Sequence, residues 1–318
     1  MGKDVPKMPI IPGSEFAYID WLRRRTPEHP RVSIGPGDDT AALRTTPNRE
    51  TLVTTDMLLE GSCFLLAEAG PRRVGRKAMA VNLSDIAAMA GRPTAAVVSL
   101  GLPREGGRAL AEQLYEGMRE IADEFDTPIV GGDTNSWDGP LVISITILGE
   151  ATGRGPVRRR GARPGDWVFV TGSLGGSILG KHLDFTPRVK EALALHRLVD
   201  LHAMIDISDG LSADLHHLCE ESGCGAVLRA EAIPIAPAAY EWALKKGGTP
   251  LERALSDGED FELVFAVDPA DGQKLLADQP VPGVVLSKIG EMVPAGFWIE
   301  AAGIRRELIP RGYIHPLR

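Results

Sequence analysis

The chain is divided by TGRGPVRRRGARPGD, residues 152–166, a stretch whose Gly, Pro and Arg content is typical of a connection between domains. On either side of it, apolar runs of strand length alternate with longer segments of helical periodicity. This mixture predicts an α/β (α+β) fold, and 318 residues correspond to about two domains. We therefore expect an N-terminal tail over residues 1–13, one domain over 14–151 and a second over 152–318.

Five elements stand out in the pattern. The first domain contains predicted strands at TLVTTDM (51–57) and LVISITILGE (141–150), and a short one at PIVGGD (128–133) that ends in glycines. Residues 71–90 are predicted to form a long helix, apolar on nearly every side and therefore buried. In the second domain, FELVFAV (261–267) is a predicted strand.

The composition argues against several classes of protein. With 43 acidic and 35 basic residues the formal net charge is -8, whereas nucleic-acid-binding proteins usually carry a basic patch. No run of about 18 apolar residues is present to span a membrane, and the start of the chain lacks the apolar segment of a signal peptide. Cys219 and Cys224 have no partner pair at zinc spacing and are expected to be reduced thiols. We expect a cytoplasmic protein with neither nucleic acid nor membrane as a partner.

Acidic residues recur where predicted strands end and beside glycines. They are Asp38 and Asp39 in GPGDD, Asp56 in TTDM, Asp133 in VGGDT, Asp206 and Asp209 in DISDG, and Glu259 and Asp260 in DGED. Any one of these is more often an ordinary turn, but their repeated placement after apolar strands favours a shared site. Oxygen ligands favour Mg²⁺ or Ca²⁺. Because no EF-hand loop is present, the carboxylates predict several Mg²⁺ ions and a polyphosphate ligand.

Asp85 falls in the middle of an apolar face of the predicted helix 71–90. Helical spacing places Val74, Ala78 and Val81 on that same face. An ionised carboxylate there is costly unless it is paired or bound to a metal. Asp85 is therefore either a metal ligand or the partner of a buried Arg or of helix-capping amides.

A glycine-rich segment after the strand WVFVTG has the beginning of a nucleotide-binding P-loop. GGSILGK (175–181) supplies the glycines and the lysine, but the next residue is His182, where a Ser or Thr should bind Mg²⁺. The motif lacks a chemically necessary group, so a glycine-rich turn into a helix is the better interpretation.

Four segments together resemble a known family. NLSDIAAM (82–89), GGDT (131–134), DISDGL (206–211) and GEDFEL (258–263) occur in the order found in thiamine-monophosphate kinases, within the aminoimidazole-ribonucleotide-synthetase-like superfamily. Further matching segments cover most of the chain. The resemblance implies the two-domain fold of that superfamily, with ATP and Mg²⁺ bound by the domain over 14–151, and a homodimer in which the N-terminal sheets pair into a barrel.

The resemblance also implies roles for particular residues. The magnesium ligands would be Asp39, Thr54, Thr55, Asp56, Asp85, Asp133, Asp206 and Asp209. The nucleotide would contact Gly132, Asp133, Arg159 and Ser208, and the catalytic residues would be Asp133, Asp209 and Arg159. The substrate would contact Glu259, Tyr313 and Cys63, and Cys63 stands where the family usually has His.

The implied reaction is direct in-line transfer of the ATP γ-phosphoryl group to thiamine monophosphate, which gives thiamine diphosphate and ADP. The acceptor is a phosphate with a second pKa of about 6, so no general base is required, and Mg²⁺ with Arg159 would offset the repulsion between anions. The same aspartates could instead serve a carboxylate-metal phosphohydrolase, a nucleotide sensor without turnover, or another ATP-dependent synthetase of the superfamily.

Overall fold

A computed structural model describes residues 15–36 and 40–313. The helices are α1 (Glu15–Arg25), α2 (Leu66–Ala69), α3 (Pro71–Ala88), α4 (Gly107–Glu124), α5 (Lys181–Asp184), α6 (Val189–Leu198), α7 (Leu211–Ser222), α8 (Pro237–Lys246), α9 (Pro250–Ser256) and α10 (Pro269–Asp278). The strands are β1 (Val32–Ile34), β2 (Ala42–Leu43), β3 (Thr51–Leu59), β4 (Arg92–Pro103), β5 (Ile129–Trp137), β6 (Val142–Glu150), β7 (Trp167–Thr171), β8 (Ala203–Asp206), β9 (Gly225–Arg229), β10 (Leu263–Val267), β11 (Leu286–Val293), β12 (Phe297–Ala301) and β13 (Ile304–Glu307). The mixed α/β character predicted from the sequence is confirmed.

The chain forms two compact units that are not separated by a single cut. The first contains the described residues up to Pro47 together with Thr55–Met79 and Thr94–Leu148. The second contains Asn48–Thr54, Ala80–Pro93 and the chain from Gly149 onward. The first half of the chain thus contributes two short segments to the second unit, and one of them carries Asp85.

A four-stranded sheet has the order β3-β6-β4-β5, and β4 runs parallel to β5. In β6 every second residue is buried, among them Ile143 and Ile145, so one face of this strand packs on the core. The strand predicted at 128–133 does not end at its glycines but continues to Trp137. Gly132 makes this possible, since a Cβ atom there would lie 1.8 Å from the carbonyl oxygen of Val98 on the neighbouring strand.

Within the first unit, the N-terminal half of α3 and helix α4 approach each other through glycines. A Cβ atom on Gly75 would lie 2.1 Å from the carbonyl oxygen of Leu114, and one on Gly117 would lie 1.8 Å from that of Arg72. Both obstacles are backbone atoms, which cannot move aside as a side-chain end can. The two glycines therefore set how closely the helices pack.

A seven-stranded sheet in the second unit has the order β13-β12-β9-β11-β7-β10-β8. Its pairings are antiparallel except that of β9 with β12. Every residue of β8 and β10 is buried, so these strands are covered on both faces. The core includes Val168, Val170, Leu215, Leu218 and Val264. The strand predicted over 261–267 begins only at Leu263, because Phe261 has the left-handed φ of 49° and cannot join the ladder.

Candidate functional site

Asp85 lies in the second unit beside a hydroxyl and within the field of a cation. The Thr54 hydroxyl donates a hydrogen bond to Asp85 Oδ2. Burial raises the pKa of Asp85 above its usual range, while the Thr54 hydrogen bond and the charge of Arg159 act in the opposite direction. Thr54 and Arg159, which are distant in the sequence and were both expected at the site, therefore both interact with Asp85.

Asp206 is the last residue of the buried strand β8, and it is hydrogen-bonded to Ser84, the residue that precedes Asp85. The Ser84 hydroxyl donates to Asp206 Oδ2 at 2.6 Å, and both residues are buried, with Asp206 only 4% exposed. Helix α3 thus presents two successive polar side chains, one to Asp206 and the other to Thr54. Because Ser84 and Asp85 are adjacent, these contacts bring two of the predicted metal ligands, Asp85 and Asp206, to the same part of the second unit.

A third carboxylate, which the sequence analysis did not select, accompanies Asp206 and Asp209. Asp214 Oδ2 accepts hydrogen bonds from the backbone N–H groups of Asp209 and Gly210, each at 3.0 Å. Burial, together with the charges of Asp206 and Asp209, raises the pKa of Asp214 to about 8, although the two backbone hydrogen bonds act in the opposite direction. Its position four residues after Gly210, in the first turn of α7, is the sequence feature that could have identified it.

The backbone carbonyls of residues 208 and 209 also hold two of the three expected substrate residues, Glu259 and Tyr313. Glu259 N–H donates to the Ser208 carbonyl at 2.7 Å, and Tyr313 N–H donates to the Asp209 carbonyl at 3.1 Å. The Glu259 carboxylate lies 3.0 Å from His182 Nδ1. The chain segments that carry Ser208, Asp209, Glu259 and Tyr313 therefore meet within the second unit.

The remaining predicted residues lie in the first unit, apart from Asp39, which is outside the described residues. Asp133 is exposed on β5 opposite Ser99 of β4, and its Oδ1 accepts from the Thr134 N–H at 2.9 Å. Its neighbour Gly132 lies against β4. Thr55 donates to the Ile145 carbonyl at 3.1 Å, and Asp56 is half-buried on β3.

Cys63, also in the first unit, is held through its backbone by a residue the sequence analysis missed. The carbonyl of Cys63 accepts from Lys77 Nζ at 2.8 Å, and Lys77 is almost completely buried. Lys77 differs from a solvent-exposed lysine through this contact with the Cys63 carbonyl, which lies at a distance along the chain. The cysteines of the described chain form no disulfide.

The oxygen donors near Asp85 decide whether this part of the second unit fits a metal ion. Within residues 15–36 and 40–313, no three His, Cys, Asp or Glu side chains lie close enough together to hold a metal ion by themselves. Mg²⁺ usually takes one or two carboxylates and completes its shell with waters and phosphate oxygens. Asp85, Asp206 and the Thr54 hydroxyl are such oxygen donors, so this donor set fits Mg²⁺ bound together with a phosphate ligand. In the described part of the chain, no helix is both long and apolar enough to cross a bilayer.

The chain is similar to known proteins in both sequence and structure. Residues 37–151 match the AIR synthase related protein, N-terminal domain, and residues 163–297 match the corresponding C-terminal domain. The chain is 43% identical over 310 residues to the thiamine-monophosphate kinase of Rhodopirellula baltica, with 95% of this chain and 97% of that protein covered. It superposes with a TM-score of 0.77 on thiamine-monophosphate kinase from Stenotrophomonas maltophilia K279a, at 33% identity over 91% of this chain and 97% of the other. A structure of AaThiL complexed with AMPPCP and TMP gives a TM-score of 0.73 at 30% identity, over 96% and 98% of the two chains.

Proposed function

The chain belongs to the thiamine-monophosphate kinase family of AIR-synthase-related proteins, and from this membership we propose that it transfers the ATP γ-phosphoryl group to thiamine monophosphate, giving thiamine diphosphate and ADP. The resemblance found in the sequence is thereby confirmed. The observation that carries the proposal is the match, over nearly the full length of both chains, to a structure that holds AMPPCP and TMP.

The second unit supplies oxygen donors and a cation for this reaction. Asp85, Asp206, Asp209 and Thr54 would hold Mg²⁺, whose charge would reduce the repulsion between two phosphate-bearing reactants. Arg159, which interacts electrostatically with Asp85, would contact the nucleotide phosphates. Since the acceptor phosphate is largely a dianion at neutral pH, the protein has to align the reactants and balance charge, and it has no need of a general base.

Further roles follow from the resemblance. In the first unit we propose Gly132 and Asp133 as nucleotide contacts, with Thr55, Asp56 and Asp133 as metal ligands. Ser208 would contact the nucleotide, and Glu259 and Tyr313 would contact the substrate. Asp133, Asp209 and Arg159 would be the catalytic residues, Asp39 would be a further ligand, and Cys63 would take the place of the usual His.

We also propose a homodimer in which N-terminal sheets of two copies pair into a barrel. Strand β3 supports this, because its outward row includes three exposed apolar side chains beside two threonines, with Val53 at 65%, Met57 at 62% and Leu59 at 42%. A row of exposed apolar side chains on a sheet is typical of a surface that another chain covers.

The cysteines remain thiols, which fits a cytoplasmic location.

The test is ³¹P NMR of the protein with ATP, Mg²⁺ and thiamine monophosphate. We expect resonances of a new diphosphate ester and of ADP, with no growth of inorganic phosphate. Release of phosphate that does not depend on thiamine monophosphate would instead indicate a phosphohydrolase. An unchanged spectrum, together with binding of ATP, would indicate a nucleotide sensor.

A further inference from the structure

The loop between α9 and β10 is held in a conformation that its residues do not favour. Glu259 has a φ of 53° and Phe261 a φ of 49°, although neither is glycine and both must place a side chain in the left-handed region. Such backbone persists only where surrounding contacts impose it, and it is concentrated at functional sites. The contacts that impose it here can be identified.

Backbone hydrogen bonds fix the two left-handed residues. Glu259 N–H donates to the Ser208 carbonyl at 2.7 Å and Phe261 N–H to the Ile207 carbonyl at 2.8 Å. The Phe261 ring stacks on Phe185, with ring centroids 4.1 Å apart. The loop is therefore clamped to the segment that leads from β8 toward α7.

Asp260 anchors the loop on its other side, in the glycine-rich segment whose role the sequence left open. Both oxygens of Asp260, which is 1% exposed, accept from the Gly175 N–H at 2.9 Å, and Oδ1 accepts from the Ser177 hydroxyl at 2.8 Å. The Gly175 amide, which a P-loop would offer to a phosphate, is thus taken by an internal carboxylate, and so is the Ser177 hydroxyl.

The lysine of that segment is engaged in the same way. Lys181 Nζ donates to Glu262 Oε1 at 2.9 Å, and Arg188 donates to both oxygens of Glu262 at 2.7 and 2.8 Å. Asp260 and Glu262 are both fully buried. Of the three acids in GEDFEL, only Glu259 keeps a side chain that is 35% exposed.

His182 completes the arrangement. This residue replaces the hydroxyl that a P-loop would have after its lysine, it is 7% exposed, and its Nδ1 lies 3.0 Å from Glu259 Oε2. We propose that His182 is a positioning residue that fixes the Glu259 carboxylate for thiamine monophosphate, and this rests on the substrate role proposed above for Glu259. The remainder of GGSILGKH serves as the anchor for the loop and does not bind the nucleotide.

The chemistry of the substrate indicates which part of it Glu259 contacts. A carboxylate repels phosphate and attracts the cationic ring system of thiamine. A carboxylate held by a buried imidazole, on a backbone clamped from both sides, loses little freedom when that ring system binds. His182 should therefore act on affinity for thiamine monophosphate and leave affinity for ATP unchanged.

The experiment compares two amides at position 182. In His182→Asn the amide nitrogen falls near the place of Nδ1, and in His182→Gln it falls near that of Nε2. We expect His182→Gln to raise both the KM and the calorimetric Kd for thiamine monophosphate about tenfold, as one hydrogen bond to a charged group would do. His182→Asn should stay within about threefold of the unmodified protein, and the KM for ATP should remain within about twofold in both variants.

His202→Leu is the matched control. His202 Nδ1 lies 2.8 Å from Asp166 Oδ2 in the same unit, where Asp166 is buried and His202 is half-buried. This variant should lower the unfolding temperature while leaving both KM values unchanged. If the two amides at 182 behave alike, or if the KM values for both substrates rise together, His182 is a structural residue and the proposal is overturned.

A double variant tests whether His182 acts through Glu259. In a Glu259→Ala background, His182→Gln should add less than about twofold to the KM for thiamine monophosphate. If the two substitutions instead raise the KM for thiamine monophosphate by factors that multiply, the proposal is contradicted. If the unmodified protein forms no thiamine diphosphate, the proposed function itself fails, and that result is distinct from any pattern among the variants.

Discussion

The Asp260 carboxyl makes stability depend on pH in a direction opposite to that of a salt-bridged aspartate. The pKa of Asp260 is raised from a reference value of 3.8 to about 6, and burial is the largest cause. Lys181, the Ser177 hydroxyl and the Gly175 N–H lower it, and Glu262 raises it. The native state therefore holds a proton at a pH where the unfolded chain has lost it, so this group's contribution to stability is full below pH 3.8 and is lost as the pH rises through 6.

The magnitude follows from the two pKa values. A difference of about two units corresponds to about 3 kcal/mol, of which ~2 kcal/mol falls between pH 4.5 and 7.5. Asp260 is almost completely buried, so solvent screening does not reduce this figure. Other carboxyl groups titrate over the same pH range. Their contribution cancels when the free energy of unfolding of the unmodified protein is compared with that of a variant at position 260.

The assay is urea unfolding of the unmodified protein and of Asp260→Asn at both pH values. The amide does not titrate, and its oxygen can still accept from Gly175 and Ser177. We expect the free energy of unfolding of the unmodified protein, relative to that of the variant, to be about 2 kcal/mol larger at pH 4.5 than at pH 7.5, so that the unmodified protein is relatively more stable at the lower pH. A pH difference that is identical in the two proteins, or of opposite sign, would refute the argument.

Three further predictions concern the two units. Asp85→Asn and Asp133→Asn should each lower turnover about 100-fold or more, because the amide removes the charge. The unfolding temperature should stay within a few degrees of that of the unmodified protein, because the amide keeps the shape of the side chain. Near-normal ADP release in both variants would contradict the metal-ligand assignment. Gly117→Ala should cost about 3 kcal/mol or more in urea unfolding, since its Cβ would meet the Arg72 carbonyl, and a cost below ~1 kcal/mol would show that the helices can separate freely. Met57→Glu should convert a dimer to a monomer in sedimentation velocity, and an unchanged sedimentation coefficient would place any dimer contact elsewhere.

The regular elements could be predicted where one physical pattern dominates. The strand expected over 141–150 is observed at Val142–Glu150, because alternation of apolar residues reports directly which side of a strand faces the core. The helix expected over 71–90 is observed at Pro71–Ala88. The strand expected over 261–267 starts two residues late, because its first residues are in a loop that distant contacts force into the left-handed region.

The candidate site was less predictable, because its geometry depends on contacts between distant residues. Asp206 and Ser84 are 122 positions apart, and Lys77 reaches the Cys63 carbonyl from another element. Residue type and spacing indicate that acids recur after strands, but they do not reveal which acid is neutralised by its surroundings. The incomplete P-loop shows this limit, since its glycines and lysine bind carboxylates of the same chain.

Two groups of acidic residues in the second unit differ in their electrostatic surroundings. Asp260 and Glu262 receive their hydrogen bonds from backbone, hydroxyl, Lys and Arg donors, so the protein itself satisfies them. Asp214 instead lies near Asp206 and Asp209, whose charges add to the effect of burial in raising its pKa. A fold gains nothing from placing like charges together, and such a group becomes favourable only when a cation joins it. We therefore expect excess Mg²⁺ with a nucleotide to stabilise the second unit through Asp206 and Asp209, while the anchor around Asp260 remains unchanged.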